Sequence, residues 1–219
     1  MAEKNTINLL DAINKQKNYD LIIFTTFTFD PIFFDGYILR KIKQNNPNAT
    51  IIILMDSKNY SILQKDFTRE TGVEYALIPI SGKVFHSKIF IFASKSKKNI
   101  FLGSHNLTLS GLTQNLELSV ETNDDSLVNE CISYVYYLIQ KNLDSKNPWY
   151  LKIESYLSEK IEHSNLITNE NEPILKQCLN LVSKKYQSID EVIIFSPYFS
   201  KINDILKQIN QLQSKQIKL

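Results

Sequence analysis

The stretch from residue 84 to residue 106 reads VFHSKIFIFASKSKKNIFLGSHN and decides the fold, because two apolar runs flank a short polar segment. The runs Val84–Phe92 and Asn99–Gly103 are rich in β-branched and aromatic residues, which favours strands. The segment Ser94–Lys98 between them is polar and short, so we expect a hairpin loop. A further run, Leu116–Glu121, predicts another strand of the same sheet.

Upstream of this stretch, apolar runs alternate with helical patterns. Asp20–Thr25, Thr50–Met55 and Glu74–Ile80 predict buried strands. A helix that ends near Gln44 and a helix over Tyr60–Glu70 separate them. This alternation is typical of an α/β fold with a mixed, largely parallel sheet flanked by helices on both faces.

Helical periodicity continues downstream and at the start of the chain. Asn123-Asp124 predicts the N-cap of a long helix that runs to about Leu143. Three more amphipathic patterns predict helices over Thr6–Lys15, Trp149–Lys160 and Pro173–Tyr186.

An internal repeat indicates how the chain is organised. Leu21–Phe27 matches Val192–Tyr198 in pattern, 171 residues further along, and both are followed by helices of similar apolar spacing. We therefore expect one domain over residues 1–165. Residues 166–219 would hold a linker helix and the start of a second, truncated repeat, so that the counterpart of His86 would fall beyond Leu219.

Polar residues with chemical capability lie in and after the central strands. His86 and Lys88 are two residues apart, so on a strand they project from the same face. Ser104 and Asn106 share a face in the same way, and Gly103 before them permits close backbone approach. A nucleophile or base, a cation and two neutral hydrogen-bonding groups are what phosphoryl transfer requires.

The set His86-x-Lys88, Gly103-Ser104-x-Asn106 and Glu117 resembles the signature of the phospholipase D superfamily. The similarity is strongest to its bacterial nucleases, which include relatives among restriction endonucleases. The core of the resemblance spans Val84–Val120, and a looser agreement of strand and helix order begins at Tyr19. It implies a phospholipase D-like fold for residues 1–165, with one His-x-Lys half-site.

The resemblance implies a role for each residue of the set. His86 would attack phosphorus and form a phosphohistidine. Lys88 would neutralise the phosphate oxygens, Asn106 would donate to them, and Ser104 would support them. Glu117 would hold the far ring nitrogen of His86 and fix its tautomer. The scheme requires no metal and no other cofactor.

This sequence departs from the family pattern at two points. Ala93 stands where the family has an aspartate, five residues after Lys88. The family site also uses two His-Lys sets, and this chain has one. The resemblance therefore implies a partner, which is either a second copy in a homodimer or a second phospholipase D-like half.

Further residues are candidate contacts for a substrate. Lys95, Lys97 and Lys98 at the predicted hairpin could grip a nucleic-acid backbone, although a charged hairpin tip is the commoner interpretation. Thr25 ends the first predicted strand, and the carboxyl ends of strands line ligand sites in open α/β sheets. His105 either packs or contacts substrate.

Together these features predict a metal-independent phosphodiesterase, foremost a DNA endonuclease in restriction, defence or repair. The alternatives are a phospholipase or phosphatidyl-transferase of the same superfamily, and a catalytically inactive module for nucleic-acid binding or assembly. The net charge of +2 neither requires nor excludes nucleic acid. No secretory h-region and no apolar run of ~20 residues is present, so we expect a cytoplasmic protein without a membrane partner.

Overall fold

A six-stranded sheet lies in the first of two compact units, which span Met1–His163 and Ser164–Leu219. The structure is a computed structural model, and it describes residues 8–66, 74–82, 84–156, 166–168, 172–186, 189–193, 207, 209 and 214–218.

One half of the sheet is parallel. It consists of β1 (Leu21–Thr26), β2 (Thr50–Asp56) and β3 (Ala76–Ile80), with β2 between the other two. Every residue of β1 is buried, as are all residues of β2 except Thr50. The continuous apolar runs of these strands therefore reflect a sheet that is covered on both faces.

The other half is antiparallel. It consists of β4 (Ile89–Ala93), β5 (Lys98–Gly103) and β6 (Ser119–Thr122). A tight hairpin joins β4 to β5, in which Ser94 N donates to Lys97 O over 2.8 Å. The order across the sheet is β3-β2-β1-β4-β5-β6, so β1 is the strand at which the pairing changes direction.

Helices cover both faces of the sheet. One face packs against α1 (Leu9–Asn14) and the helical stretch α2 (Pro31–Phe33), a π-helical segment (Phe34–Leu39) and α3 (Arg40–Asn45). The long helix α5 (Asp125–Asn142) packs against β3, β4 and β5. The predicted α/β sheet with helices on both faces is confirmed, and its parallel pairs are those of β1 with β2 and β2 with β3.

Two shorter helices complete the first unit. The helix α4 (Ser57–Asp66) directly follows β2 and contacts β2 and β3. The helix α6 (Pro148–Glu154) packs against α5, and Asn147 caps it by accepting from Trp149 N. The N-cap of α5 is Asp124, as predicted, and its side chain accepts from Leu127 N.

A cluster of aromatic rings fills the centre of the core. Phe24 of β1 is fully buried and meets Phe34, Phe90 and Phe92 edge-on, with ring centroids 5.7, 4.8 and 5.9 Å away. Such edge-to-face contacts are favourable beyond the apolar area that they bury. The ring of Phe24 therefore ties β1 to β4 and to the helical layer above them.

Three predicted strands are shorter in the structure, and of these β3 begins at Ala76 instead of Glu74. The stretch Val84–Lys88 was predicted as strand but is irregular, because the ladder of β4 with β1 ends at the Phe24–Phe90 pair. The hydroxyl of Thr25 accepts from Ile89 N over 2.7 Å, in place of a main-chain partner. Likewise β6 begins at Ser119, and the residues from Leu116 onward that precede it are irregular.

The second unit contains α7 (Ile174–Lys185) and two strands, β7 (Ile189–Ile193) and β8 (Ser214–Lys218), which pair in parallel. Lys207 and Ile209 between these strands are helical. The predicted repeat falls partly on residues 194–198, which lie outside the described residues. The predicted division into a complete and a truncated repeat stays a prediction.

We expect Phe24→Ala to lower the free energy of unfolding by about 3–5 kcal/mol, because the substitution leaves a cavity between β1, β4 and the helical layer. Urea denaturation followed by circular dichroism measures this. Ile62→Ala is the matched control, since Ile62 lies on α4 with 57% of its surface exposed, and it should cost less than about 0.5 kcal/mol. A loss below about 1 kcal/mol for Phe24→Ala would contradict the packing described.

Candidate active site

The topology brings the predicted chemistry to one end of the sheet. The carboxyl ends of β1, β2, β3 and β5 lie there together with the amino ends of β4 and β6. We call this the site end of the sheet. It carries the loop after β1, the irregular segment 84–88, the turn 104–106 and the segment 116–118.

His86 and Lys88 are in direct contact at the site end. Lys88 Nζ lies 2.7 Å from His86 Nδ1 and donates to His86 O over 2.9 Å. Phe27, just after β1, packs against the imidazole with a centroid distance of 4.7 Å and lies 5.9 Å from the Lys88 ammonium. Lys88 is buried, at 5% exposure, whereas His86 is exposed to solvent. The ammonium thus sits beneath an accessible imidazole.

Side chains from the neighbouring strands hold the segment that carries this pair. Asp56 Oδ2, at the end of β2, accepts from Phe85 N over 3.1 Å. Thr25 accepts from Ile89 N and donates to Ser87 Oγ over 3.4 Å. Thr25 was predicted to contact substrate, but it is fully buried and its hydroxyl is used within the fold. It therefore supports the site from beneath.

Ser104 links the turn after β5 to the segment before β6. Its hydroxyl donates to Glu117 Oε2 and accepts from Leu118 N, and its own N donates to Leu118 O over 3.0 Å. Glu117 Oε1 accepts from Asn115 Nδ2 over 3.3 Å. The resemblance implied that Glu117 holds a ring nitrogen of His86. In the structure, Ser104 and Asn115 instead bind the two carboxylate oxygens of Glu117, and His86 Nδ1 faces Lys88.

Asn106 has an orientation fixed by main-chain donors. Its Oδ1 accepts from Phe27 N over 3.2 Å and from Thr28 N over 3.4 Å, so the side-chain oxygen is identified by groups that can only donate. Among the described residues its Nδ2 donates to none. Asn106 therefore holds the loop after β1 with its oxygen and keeps an amide donor for a ligand.

His105 was predicted either to pack or to contact substrate, and the structure shows that it packs. Its ring is fully buried against Phe90 at 4.5 Å, and its Nδ1 lies 2.8 Å from Ser119 Oγ. A side chain on Gly103 would come within 2.5 Å of that nitrogen and closer still to Leu118 O. The prediction that Gly103 permits close approach is confirmed.

Burial and neighbouring charges shift the pKa values of three side chains at the site end. Burial lowers the pKa of Lys88 from its usual 10.5 to about 8, against the opposing effect of the Glu117 carboxylate. Partial desolvation and the Lys88 ammonium lower the pKa of His86, and the Asp56 carboxylate acts in the opposite direction. Burial also lowers the pKa of His105 to about 4. At neutral pH the site therefore holds one principal cation, Lys88.

The hairpin lysines are not part of this constellation. They follow the opposite end of β4, about 20 Å from Lys88 at ~3.3 Å per residue. Lys97 Nζ donates to Lys17 O and lies over the ring of Tyr19, and Lys98 Nζ donates to Asn129 Oδ1. Lys95 is exposed at the same tip. β4 therefore separates these lysines from His86 and Lys88, and their contact with a nucleic-acid backbone stays a prediction.

Sequence reasoning missed two residues of the site. Phe27 packs on His86, and Asp56 anchors Phe85. Asp56-Ser57-Lys58-Asn59 follows a buried strand and carries a helix N-cap pattern, which could have indicated a buried carboxylate at the site end. No local pattern indicates the contact of Phe27.

A family model described as "Cardiolipin synthase, PLD-like domain" matches residues 9–139, which is more than half of the chain. The chain belongs to the phospholipase D superfamily. Members of this superfamily are phosphodiesterases. A search of curated proteins gave no significant match.

Solved structures of the superfamily are similar to this chain. NucT from Helicobacter pylori is 15% identical, with a TM-score of 0.46, and the match covers 60% of this chain and 85% of NucT. Nuc from Salmonella typhimurium, a phospholipase D family member, is 18% identical, with a TM-score of 0.41 and coverage of 61% and 83%. Phosphatidylserine synthase from Haemophilus influenzae is 16% identical, with a TM-score of 0.56, and 93% of this chain matches 56% of that one.

The part of the chain that the structure describes has neither a metal-binding cluster nor a membrane-spanning helix. No group of three or more His, Cys, Asp or Glu side chains there could hold a metal ion. Within the same residues, no helix is both long enough and apolar enough to span a membrane.

We expect the buried Lys88 ammonium to make stability depend on pH. Its pKa is lower in the folded protein than in the unfolded chain, so the charged form opposes folding below pH 8, and this cost disappears as pH rises from about 8 to 10.5. In urea denaturation, the stability of the wild type relative to Lys88→Met should therefore rise by about 1–3 kcal/mol between pH 7 and pH 10.5. Lys41→Met, at an exposed lysine of α3, is the matched control. Parallel pH curves for wild type and Lys88→Met would contradict the prediction.

Proposed function

We propose that this chain is a metal-independent phosphodiesterase whose substrate is DNA and whose nucleophile is His86. The observation that carries the proposal is the contact of an exposed imidazole with a buried ammonium, 2.7 Å apart, at an end of the sheet that also holds Ser104, Asn106 and Glu117. An accessible nucleophile backed by a fixed cation is suited to an anionic phosphodiester.

The chemistry proceeds in two displacements. A ring nitrogen of His86 attacks phosphorus, an N–P bond forms, and the P–O bond to the leaving oxygen breaks. A second histidine, supplied by a partner half, protonates that oxygen. The same histidine then accepts a proton from water as the water oxygen attacks phosphorus, and the N–P bond breaks to release the phosphate and restore His86.

Lys88 and Asn106 supply the phosphate contacts. Lys88 is held by His86 O, so its ammonium is positioned before substrate arrives. Asn106 is oriented by the main chain of Phe27 and Thr28, which leaves its amide Nδ2 to donate. Ser104 joins the turn after β5 to Glu117, whose charge favours the protonated form of Lys88.

Substrate must change the hydrogen bonding of His86. A charged Lys88 donates to Nδ1, which places the proton of the neutral ring on Nε2. A bound phosphate competes for the same ammonium and frees Nδ1, so that the proton can move there and Nε2 can attack. Substrate binding thereby activates the nucleophile.

A partner half is proposed to complete the site beside β6. Leu116, Leu118 and Val120 are 95, 76 and 53% exposed, and β6 is the last strand at this side of the sheet. Three exposed apolar side chains at alternate positions are typical of an interface. They adjoin Glu117, so a half that covers them would lie against the site. A second copy of this chain is one such half, and a further phospholipase D-like repeat is the other.

Lipid chemistry is the second candidate, because the same apolar side chains could contact acyl chains. A phospholipase or phosphatidyl-transferase would use the same residues on a phosphodiester of a lipid. DNA is preferred because the exposed His86 can reach a phosphodiester on an extended strand, and the partner half accounts for the apolar side chains. An inactive binding module would keep the fold and not require His86.

Incubation of the protein with plasmid DNA in excess EDTA tests the function. We expect cutting by the wild type, and a loss of at least about 1,000-fold in His86→Ala and Lys88→Ala, because nucleophile and phosphate cation are removed. Activity should also fall as pH rises through about 8, where Lys88 loses its charge. Lys41→Ala is the control. Equal cutting by His86→Ala would overturn the proposal, whereas EDTA-resistant turnover of a phospholipid alone would establish the lipid candidate.

Light scattering with concentration-dependent activity tests the partner. We expect a dimer in the wild type and dissociation in the double variant Leu116→Asp, Leu118→Asp, because two buried charges would oppose docking. Ile62→Asp introduces one such charge at an exposed apolar residue of α4 and should not dissociate the dimer. A wild type that stays monomeric but active would contradict the requirement for a second half.

A further inference from the structure

Asp56 holds two parts of the site end with one carboxylate. It is the last residue of β2 and is 3% exposed. Its Oδ1 accepts from Lys58 N and Asn59 N at the start of α4, over 3.0 and 3.2 Å. Its Oδ2 accepts from Phe85 N over 3.1 Å. The side chain of Asp56 therefore attaches the main chain just before His86 to the end of β2 and to the start of α4.

This attachment matters because the segment before β4 has left the ladder with β1, although Lys88 O still accepts from Gly103 N of β5 over 3.2 Å. Main-chain pairing of β4 with β1 ends at Phe90, so it does not fix the path of the chain at His86. Thr25 fixes the segment from one side, through Ser87 and Ile89. Asp56 fixes it from the other side, through Phe85. The two side chains thus hold the main chain on both sides of His86, while Phe27 and Lys88 contact the ring itself.

The charge of Asp56 also acts on His86. From its own segment, His86 faces the Lys88 ammonium, which disfavours a second positive charge. From the end of β2 it faces the Asp56 carboxylate, which favours the imidazolium. From the loop after β1 it faces the uncharged ring of Phe27. Further along the site, the Glu117 carboxylate raises the pKa values of Lys88 and His105, and the Lys88 ammonium lowers that of His105.

The Asp56 carboxylate is ionised at neutral pH. Burial alone would raise its pKa, but the hydrogen bonds from Phe85, Asn59 and Lys58 outweigh burial and hold the pKa below its usual range. The negative charge is thus a permanent part of the site.

We propose that Asp56 is a positioning residue for His86, which fixes the backbone at Phe85 with one oxygen, anchors α4 with the other, and sets a negative charge against the imidazole. The proposal rests on the proposed role of His86, but the placement of Asp56 can be measured without turnover. Asp56 is not expected to touch the substrate.

The test is an NMR titration of the His86 ring in the full chain, with His86→Ala used for assignment. In Asp56→Asn the midpoint should move to lower pH, because the charge that favours the imidazolium is gone. Asparagine also replaces one acceptor oxygen with a donor, so one of the two attachments is lost. Asp124→Asn is the matched control, since Asp124 likewise caps a helix but belongs to α5, and it should leave the His86 midpoint unchanged. An unchanged midpoint in Asp56→Asn would overturn the proposal.

A second variant separates charge from folding. In Asp56→Ser the hydroxyl can still cap α4, because serine is a favoured N-cap residue, while the charge is removed and Phe85 is released. The His86 midpoint should move in the same direction. Should neither variant fold, hydrogen exchange at the Phe85 amide of the wild type decides, because a hydrogen-bonded amide is protected and rapid exchange would overturn the proposal.

Activity gives a separate readout. Asp56→Ser should lower kcat by about 10- to 100-fold with little change in KM, because a displaced nucleophile impairs the reaction more than binding. Asp124→Asn should retain full activity. If the wild type cuts no phosphodiester, the proposed function fails, but the titration still decides the role of Asp56.

Discussion

The change of strand direction at β1 is the constraint on which the rest of the site depends. β1 pairs in parallel with β2 and antiparallel with β4, and its ladder with β4 stops at Phe24. Beyond that point the hydroxyl of Thr25 takes the place of a main-chain acceptor. The chain before β4 therefore departs from β1 at Lys88 and His86, although Lys88 O still accepts from Gly103 N of β5, and the Lys88 and His86 side chains contact one another.

Much of the fold could be predicted from the sequence, because its main signals are repeated over many residues. The buried run of β1 and the N-cap Asp124 with the apolar stripe of α5 each rest on several consistent residues. The boundaries that differ are places where one side chain competes with the ladder. Val84–Lys88 has strand-like composition, but no periodicity reveals that Thr25 takes the amide of Ile89 or that Asp56 takes that of Phe85.

In the candidate site, too, residues with a local sequence signal could be predicted and contacts made across the fold could not. His86, Lys88, Ser104 and Asn106 could be picked out because they occur at short spacing just before β4 and just after β5, two strands that pair with one another. The hairpin lysines are near Lys88 in sequence, yet the length of β4 places them at its far end. Contacts across the sheet, such as that of Phe27 with His86, depend on tertiary structure and leave no local pattern.

The burial of Lys88 beside His86 also affects the stability of the fold. A buried Lys88 beside an imidazole opposes folding, because both groups titrate below their usual pKa values when no anion is present. A phosphate at this position would favour the charged form of both groups, so its binding would be linked to protonation of the site and to stability of the fold. The arrangement is thus least stable when empty. Burial of the Lys88 ammonium away from water weakens the empty protein, and a phosphodiester beside that ammonium would offset this cost, while His86 O holds the ammonium in place.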